Sequence, residues 1–464
     1  MFEGKNANAA PAMMAWADAP RTPGDASPRA VRFGPPYSLW RCLGALGILL
    51  VIAVINYVDR VTFHVLQVPI KAAFNLSDTQ LGILTGTAFS LPYIAFSIPM
   101  GRVADYVNRK YMLMAALVIW AGMTAALGLA NGFGTLVVLR MGVAVGEACC
   151  LPIIYSLIGD YFTSEKRSRA IAVLGTATPL GSMIGLSAGG LLGDTLGWQA
   201  AFLILGALSL SMVPVLALFF REPARSDARG RIATVKPPRL GRSIALLWEL
   251  KSVRYGAIGA GFQALTSLTI LHWSAPFYGR SYHLNITEIG MILGVTLGLA
   301  GGVGALAGGF VVDKLGVRDR RWMMWVPTIT CFLTVPFALV QFLAGSLSVS
   351  IAAGVFAAFV MSVYVPAVHA TAQLLVPSNL RAFTSAVIIT LTAVVGSAFG
   401  GAAVGALSDL LTTRFAFGED ALRAAVCVSL LASLIAGFCF LYASRFVAAE
   451  ARQAQQDADA EGRG

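Results

Sequence analysis

The sequence predicts an all-α polytopic membrane protein, with twelve transmembrane helices in two six-helix pseudo-repeat bundles. Composition is the first reason. Of 464 residues, 57% are hydrophobic and 12% charged, and mean hydropathy is +0.74, whereas a soluble domain carries about 25% charged residues. The second reason is that apolar runs of about 20 residues recur, each long enough to cross a hydrocarbon core of roughly 30 Å. The third is that basic residues gather in alternate connections between those runs.

Taken in order, residues 1–38 are rich in Ala, Pro and Gly without an apolar h-region, and read as a disordered cytoplasmic tail, not a signal peptide. Apolar runs set against breakers place helices at 39–69, 79–103, 110–131, 134–162, 166–194 and 198–220, an N-terminal bundle over 39–220. "REPARSDARGRIATVKPPRLGR" (221–242) interrupts the pattern, and "SIALLWELKSV" after it is a candidate interfacial helix, so 221–252 reads as a linker. Helices at 253–280, 287–312, 321–344, 347–376, 381–409 and 420–446 make the C-terminal bundle over 253–446. The Ala-, Gln-, Asp- and Glu-rich stretch 447–464 reads as a solvated cytoplasmic tail.

A formal charge of +11 could suggest a nucleic-acid partner, but the positions of the charges exclude one. Arg102, Arg109 and Lys110 form one set; Lys166, Arg167 and Arg169 a second; Arg225, Arg229, Arg231, Lys236 and Arg239 a third; Lys314, Arg318, Arg320 and Arg321 a fourth, with Arg381 after them. Intervening connections hold only Lys71, Arg280, Arg414 and Arg423. The positive-inside rule then puts both termini in the cytoplasm of a plasma membrane. Ala-, Gly- and Arg-rich usage points to a bacterial inner membrane. All six cysteines fall in apolar helices, so neither a disulfide framework nor a metal site is expected. No phosphate-binding Gly-x4-Gly-Lys-Ser/Thr loop and no catalytic Ser/His/Asp spacing occur. An enzyme is not expected, nor a cofactor, and the chain is read as a monomer.

The halves repeat. Gly101-x3-Asp105 matches Gly309-x3-Asp313, and Arg167, Gly181 and Asp194 recur at nearly the spacing of Arg381, Gly396 and Asp409. Two repeated bundles joined by a basic linker form a transporter architecture that rocks about a central site. Gly290, Gly294, Gly298 and Gly302 share one helix face and would let a neighbour approach closely.

These same residues carry a resemblance. Over 39–446 the chain resembles the major facilitator superfamily. "GRVADYVNRK" (101–110) looks like that family's loop between helices 2 and 3, with Tyr106 where a basic residue is usual and Asn108 where glycine is usual. "GGFVVDKLGVRDRR" (308–321) looks like its weaker copy, and "GTATPLGSMIGLSAGG" (175–190) is similar to a helix 5 motif of antiporters. "NYVDR" (56–60), "NRKYML" (108–113), "GVAVGEA" (142–148) and "KRSRAIAV" (166–173) resemble the Spinster branch, whose members carry lysolipids and sphingoid-type amphiphiles. The organic-anion symporter branch shares the helix 1 pattern. Gly101, Asp105, Arg109, Arg167, Gly309, Asp313 and Arg381 are the gating candidates. Asp105 could accept from amides at the start of helix 11 near Arg381, and Asp313 from the start of helix 5, locking the cytoplasmic side until it opens.

An ionisable residue inside a span usually faces a cavity or a partner. Asn56, Arg60, His64 and Gln67 share one face of helix 1, with Asp59 flanking it by about 100°. Arg140 and Glu147 share a face of helix 4, and Arg60 falls between them in depth. A cluster of Asp59, Arg60, Arg140 and Glu147 is therefore expected. Burial raises a carboxylate's pKa and a nearby arginine lowers it, so Asp59 and Glu147 are the proton-coupling candidates, a role the Spinster resemblance also implies. Arg60 and Arg140 offer planar forks to a substrate anion. Asn56, His64, Gln263, His272, Tyr364 and His369 complete the substrate-binding candidates, with Phe89 and Tyr93 as walls. The leading function is proton-coupled transport of an amphiphilic anion or zwitterion, the partners being a small-molecule or lipid-like substrate, protons and membrane lipids. Two alternatives stand beside it: proton symport of a small organic acid, and an uncoupled lipid scramblase or sensor on a transporter scaffold.

Overall fold

Helix follows helix in the computed structural model, which describes residues 37–104, 106–223, 247–376 and 380–463. The first half comprises α1 (Leu39–Phe74), α2 (Asp78–Val103), α3 (Arg109–Leu127), α4 (Phe133–Tyr161), α5 (Lys166–Thr195) and α6 (Gly197–Phe219). The second begins with α7 (Lys251–Tyr282), α8 (Ile286–Gly316), α9 (Trp322–Leu343) and α10 (Leu347–Leu375). It ends with α11 (Arg381–Thr392, Ala393–Phe399 and Gly400–Phe415) and α12 (Asp420–Ser429 and Leu431–Arg463). There is no strand among the described residues.

Eleven of these helices are long and apolar enough to cross a membrane. The remaining one, α7, has 32 residues but a more polar sequence. The reason lies in its packing: Gln263, Thr266, Thr269, His272 and Ser274 are buried against protein, so much of α7 needs no lipid-facing surface. Two boundaries differ from the sequence reading. α12 continues past 446 to Arg463, and Glu450 accepts from the Ser252 amide at the start of α7 at 3.2 and 3.4 Å. Of the linker, residues 247–249 are helical and 224–246 lie outside the described residues, as do 1–36 of the N-terminal tail.

The chain ends share one end of the bundle. There the Tyr37 ring lies 5.3 Å from that of Tyr161, and Tyr161 donates to the Arg221 carbonyl. At the far end, α2 and α8 start with matching capping boxes, Ser77 with Gln80 and Asn285 with Glu288. Among the described residues, every hydrogen bond between halves lies from mid-helix to this far end. Thr87 to the Ala398 carbonyl (2.6 Å) and Ser90 to Ser397 (2.6 Å) are the mid-helix ones. They sit where α2 and α11 carry π-helical stretches, Ile83–Thr87 and Ala393–Phe399; α8 has a third, Gly294–Ala300.

Two glycine seams hold the halves together. On α5 and α8, a Cβ added at Gly190 would lie 2.5 Å from the Ile286 carbonyl, one at Gly290 2.5 Å from that of Leu186, and one at Gly298 2.6 Å from the Met183 nitrogen. On α2 and α11, a Cβ at Gly401 would lie 2.9 Å from the Gly82 carbonyl. The contact is backbone on backbone, so no side-chain motion makes room. Overpacking costs about 1–3 kcal/mol, a shift of roughly 5- to 150-fold between two states. Gly298→Val is therefore expected to open the far end, read as a longer spin-label distance between Leu129→Cys and Glu419→Cys. An unchanged distance distribution would show that the seam does not set the conformation.

Candidate functional site

Midway along α1 the helix period turns Asn56, Arg60 and His64 to one side. Arg60 donates from Nη2 and Nε to Glu147 Oε2 on α4, at 2.9 and 3.2 Å. The Glu147 side chain is fully buried, whereas that of Arg60 is 22% exposed. Seven residues before Glu147, Arg140 donates from Nη2 to the Arg60 carbonyl at 3.2 Å. Its guanidinium lies 4.5 Å from the Phe63 ring and 4.7 Å from Phe89, and Arg60 lies over the same Phe89 ring at 4.9 Å and over Tyr93 at 4.8 Å. Arg140 is buried, and among the described residues it has no carboxylate partner. Arg60 takes the one carboxylate within hydrogen-bond reach, leaving the Arg140 charge against aromatic faces. Such a charge favours an incoming anion.

Asp59 forms no ion pair with this group among the described residues, although its carboxylate lies near enough to act on Arg140 and Glu147 through space. Its Oδ2 accepts from Trp120 Nε1 on α3 and from Ser209 Oγ on α6 (2.9 Å), while Oδ1 is buried without a partner. The cause is the offset of about 100° between adjacent helical residues: what faces Arg60 is α4, and what faces Asp59 is the α3–α6 side.

The two histidines from opposite halves meet. His64 and His272 stack at 4.8 Å with 24° between planes, and Gln67 donates to both their carbonyls, to that of His64 at 2.7 Å. They form a contact between α1 and α7 instead of lining opposite walls. Gln263 accepts from Ser433 at 2.6 Å inside the second half, and Tyr364 packs at 6.3 Å from Phe440. Neither contacts the arginines. His369 is half-buried and makes no hydrogen bond among the described residues.

The gating candidates separate similarly. Arg109, buried, bonds Glu222 (2.8 Å), Asp160 (2.5 Å) and Ser156 (3.0 Å), tying α3, α4 and the segment just after α6 within one half. Arg167 donates to the Gly159 carbonyl (2.7 Å) and Arg381 to that of Val376 (3.4 Å), each gripping the helix before its own. Gly101 and Gly309 occupy equivalent places, where an added Cβ would lie 3.9 Å from Pro152 and Pro366 Cβ respectively. Asp313 is exposed and forms no hydrogen bond among the described residues, and Asp105 lies outside them. No lock joins the halves at the terminal end among the described residues.

The lock is at the far end, and sequence reading missed it. Asp78 accepts from Arg280 on α7 (2.9 Å to Oδ2), from Ser408 on α11 (2.7 Å) and from Lys71 on α1. Asp409 accepts from the Asp78 and Thr79 amides (3.0 and 2.8 Å) and from Thr79 Oγ1 (2.6 Å) at the N-terminus of α2. Its repeat partner Asp194 accepts from Thr287 at 2.8 Å. The signal was present: "LSDTQLG" (76–82) and "LNITEIG" (284–290) are capping boxes with threonine at the same place. Only the first copy has an aspartate beside that threonine.

Comparison with known proteins follows the same lines. A model of the Major Facilitator Superfamily matches residues 49–401. An MFS-type efflux pump of Mycolicibacterium smegmatis is 31% identical over 426 residues, covering 89% of this chain and 94% of the pump. A hexuronate transporter of Bacillus subtilis is 26% identical over 275 residues, 59% of this chain and 65% of that protein. Among solved structures, a bacterial homolog of the human lysosomal transporter Spinster, inward-facing and unoccupied, aligns with a TM-score of 0.77 at 26% identity over 91% of this chain and 99% of its own.

Proposed function

The chain belongs to the Major Facilitator Superfamily, and on that premise we propose that it carries a lysolipid- or sphingoid-like anion or zwitterion across the membrane by proton-coupled alternating access. It is a Spinster-like, multi-pass transporter of a small molecule and not an enzyme; the substrate class and the coupling ion are the proposed part. One observation carries the reading: buried Arg140 forms no ion pair among the described residues and stands beside an Arg60–Glu147 pair, with the Phe89 ring against both guanidiniums. An anionic head group takes the fork of Arg140, and Phe63, Phe89 and Tyr93 take the first apolar groups of the tail. With both termini cytoplasmic, as the basic connections imply, the terminal end faces the cytoplasm and the clasped end faces outward. This conformation is then open inward. The membrane is a bacterial plasma membrane in this reading.

Glu147 is the coupling acid. When substrate or motion draws Arg60 away, a fully buried carboxylate loses its counter-charge and takes a proton. Asp59, held by Trp120 and Ser209, is a second proton site outside the substrate path. The hexuronate transporter similarity supports a second reading, proton symport of a small carboxylate.

Purified protein in liposomes with an internal pH dye separates the two readings. Proton flux on adding a lysolipid or sphingoid-like compound is expected. Flux only with hexuronates would establish the second reading, and pH-independent lipid movement would remove both. Glu147→Gln is expected to retain substrate exchange while losing accumulation against a gradient, by at least about tenfold, or 1.4 kcal/mol. Accumulation at the wild-type level would take the coupling role from Glu147.

A further inference from the structure

We propose that the terminal end of α7 and α12 holds a site for the phosphate head group of an anionic phospholipid. Three cations meet there: Lys251 and Arg254 on α7 and Arg445 on α12. None forms an ion pair among the described residues. Aromatic rings support all three. Arg254 lies 4.8 Å from the Tyr255 ring and 5.8 Å from that of Trp248, Lys251 Nζ 4.8 Å from Phe446, and Arg445 5.8 Å from Tyr442. Tyr442 joins the two helices, its ring 4.7 Å from Tyr255 and 5.2 Å from Phe446. The cations therefore form one patch.

Its depth fits a head group. Arg445 follows Asp420 by about 37 Å of helix at 1.5 Å per residue, just past a hydrocarbon core of roughly 30 Å. Trp248 is 57% exposed and Tyr442 39%, as expected of rings at the boundary between acyl chains and head groups. Nearby carboxylates do not cancel the patch. Glu450 is committed to the Ser252 amide, and Glu249, two residues before Lys251, is exposed and unpaired among the described residues. A phosphate diester at this level meets three donors, while its acyl chains lie along the apolar outer faces. The patch is within one half, away from Arg60 and Arg140, so it does not depend on the transported substrate.

The test uses the full chain in bilayers of phosphatidylcholine mixed with phosphatidylglycerol, with retained lipid counted by native mass spectrometry. Wild type is expected to retain phosphatidylglycerol preferentially. Lys251→Gln with Arg254→Gln and Arg445→Gln is expected to lower that preference by at least about tenfold. Arg254→Lys with Arg445→Lys keeps the charge and is expected to stay within about twofold of wild type, which separates lost binding from misfolding. Lys314→Gln with Arg318→Gln and Arg320→Gln, at the α8–α9 connection, removes equal charge elsewhere and is expected to change nothing. Equal loss in that control set, or equal retention of phosphatidylcholine, would overturn the site. Displacement of the lipid by glycerol phosphate or polyglutamate would also overturn it, showing a site for soluble anions or an acidic partner.

Discussion

Arg140→Ala cripples transport: the initial rate of substrate-driven proton flux is expected to fall at least about 30-fold, with insertion and folding retained. Arg140 is buried and has no carboxylate partner among the described residues. Its contacts are the Arg60 carbonyl at 3.2 Å and two aromatic faces. A buried cation in that position stabilises an anion that arrives, and truncating one member of such a pair costs about 2–5 kcal/mol. At 1.4 kcal/mol per decade, that is roughly 30- to 4,000-fold. Arg140→Lys keeps the charge but loses the planar fork and is expected to fall in between. Saturation kinetics would register the loss first as weaker substrate binding. A rate within twofold of wild type in Arg140→Ala would take Arg140 out of the site.

Asp78→Ala is expected to release the far end. Its carboxylate holds Lys71 and Arg280, from opposite halves, and Ser408 besides. Without it the two cations face each other across the seam. Removing one partner of a fully buried pair costs about 3–5 kcal/mol. Lys71 and Arg280 are 29% and 27% exposed, so solvent screening brings the expected cost to about 1–3 kcal/mol. That is roughly 5- to 150-fold toward the far-end-open state, measured by the Leu129–Glu419 spin-label distance. Adding Arg280→Ala removes the repelling charge, so the double variant should open less than Asp78→Ala alone. If it opens equally, the clasp acts through packing instead of charge.

The spans, the two halves and the Arg60–Glu147 pair were legible in the sequence, because helix period and depth together fix which side chains share a level. The glycine face of α8 was legible for the same reason. Asp59 was not, since period gives a residue's direction but not which helix stands there; Trp120 and Ser209 come from helices whose own rotation no apolar pattern fixes. His64 and His272 were read as separate cavity residues, because whether two rings from opposite halves stack or stand apart depends on the separation of the halves. The continuation of α12 was missed because polarity was weighed above helix propensity, although Ala, Gln and Glu dominate 448–461. Asp78 was passed over as a charge in a connection, when the capping box placed it in the first turn of α2.

The two seams at the far end are related by the internal repeat, but they differ chemically. Across α2 and α11 stands an aspartate with two cations; at the matching place in α8 is Ile286, and the bond there is the single hydroxyl of Thr287 on Asp194. Ionic strength therefore acts more on one seam than on the other, because mobile ions partly screen the half-exposed cations around Asp78 and leave backbone contact untouched. In concentrated salt the α2–α11 side loosens while the α5–α8 side stays shut. The molecule then gapes like a hinged shell, on one flank before the other.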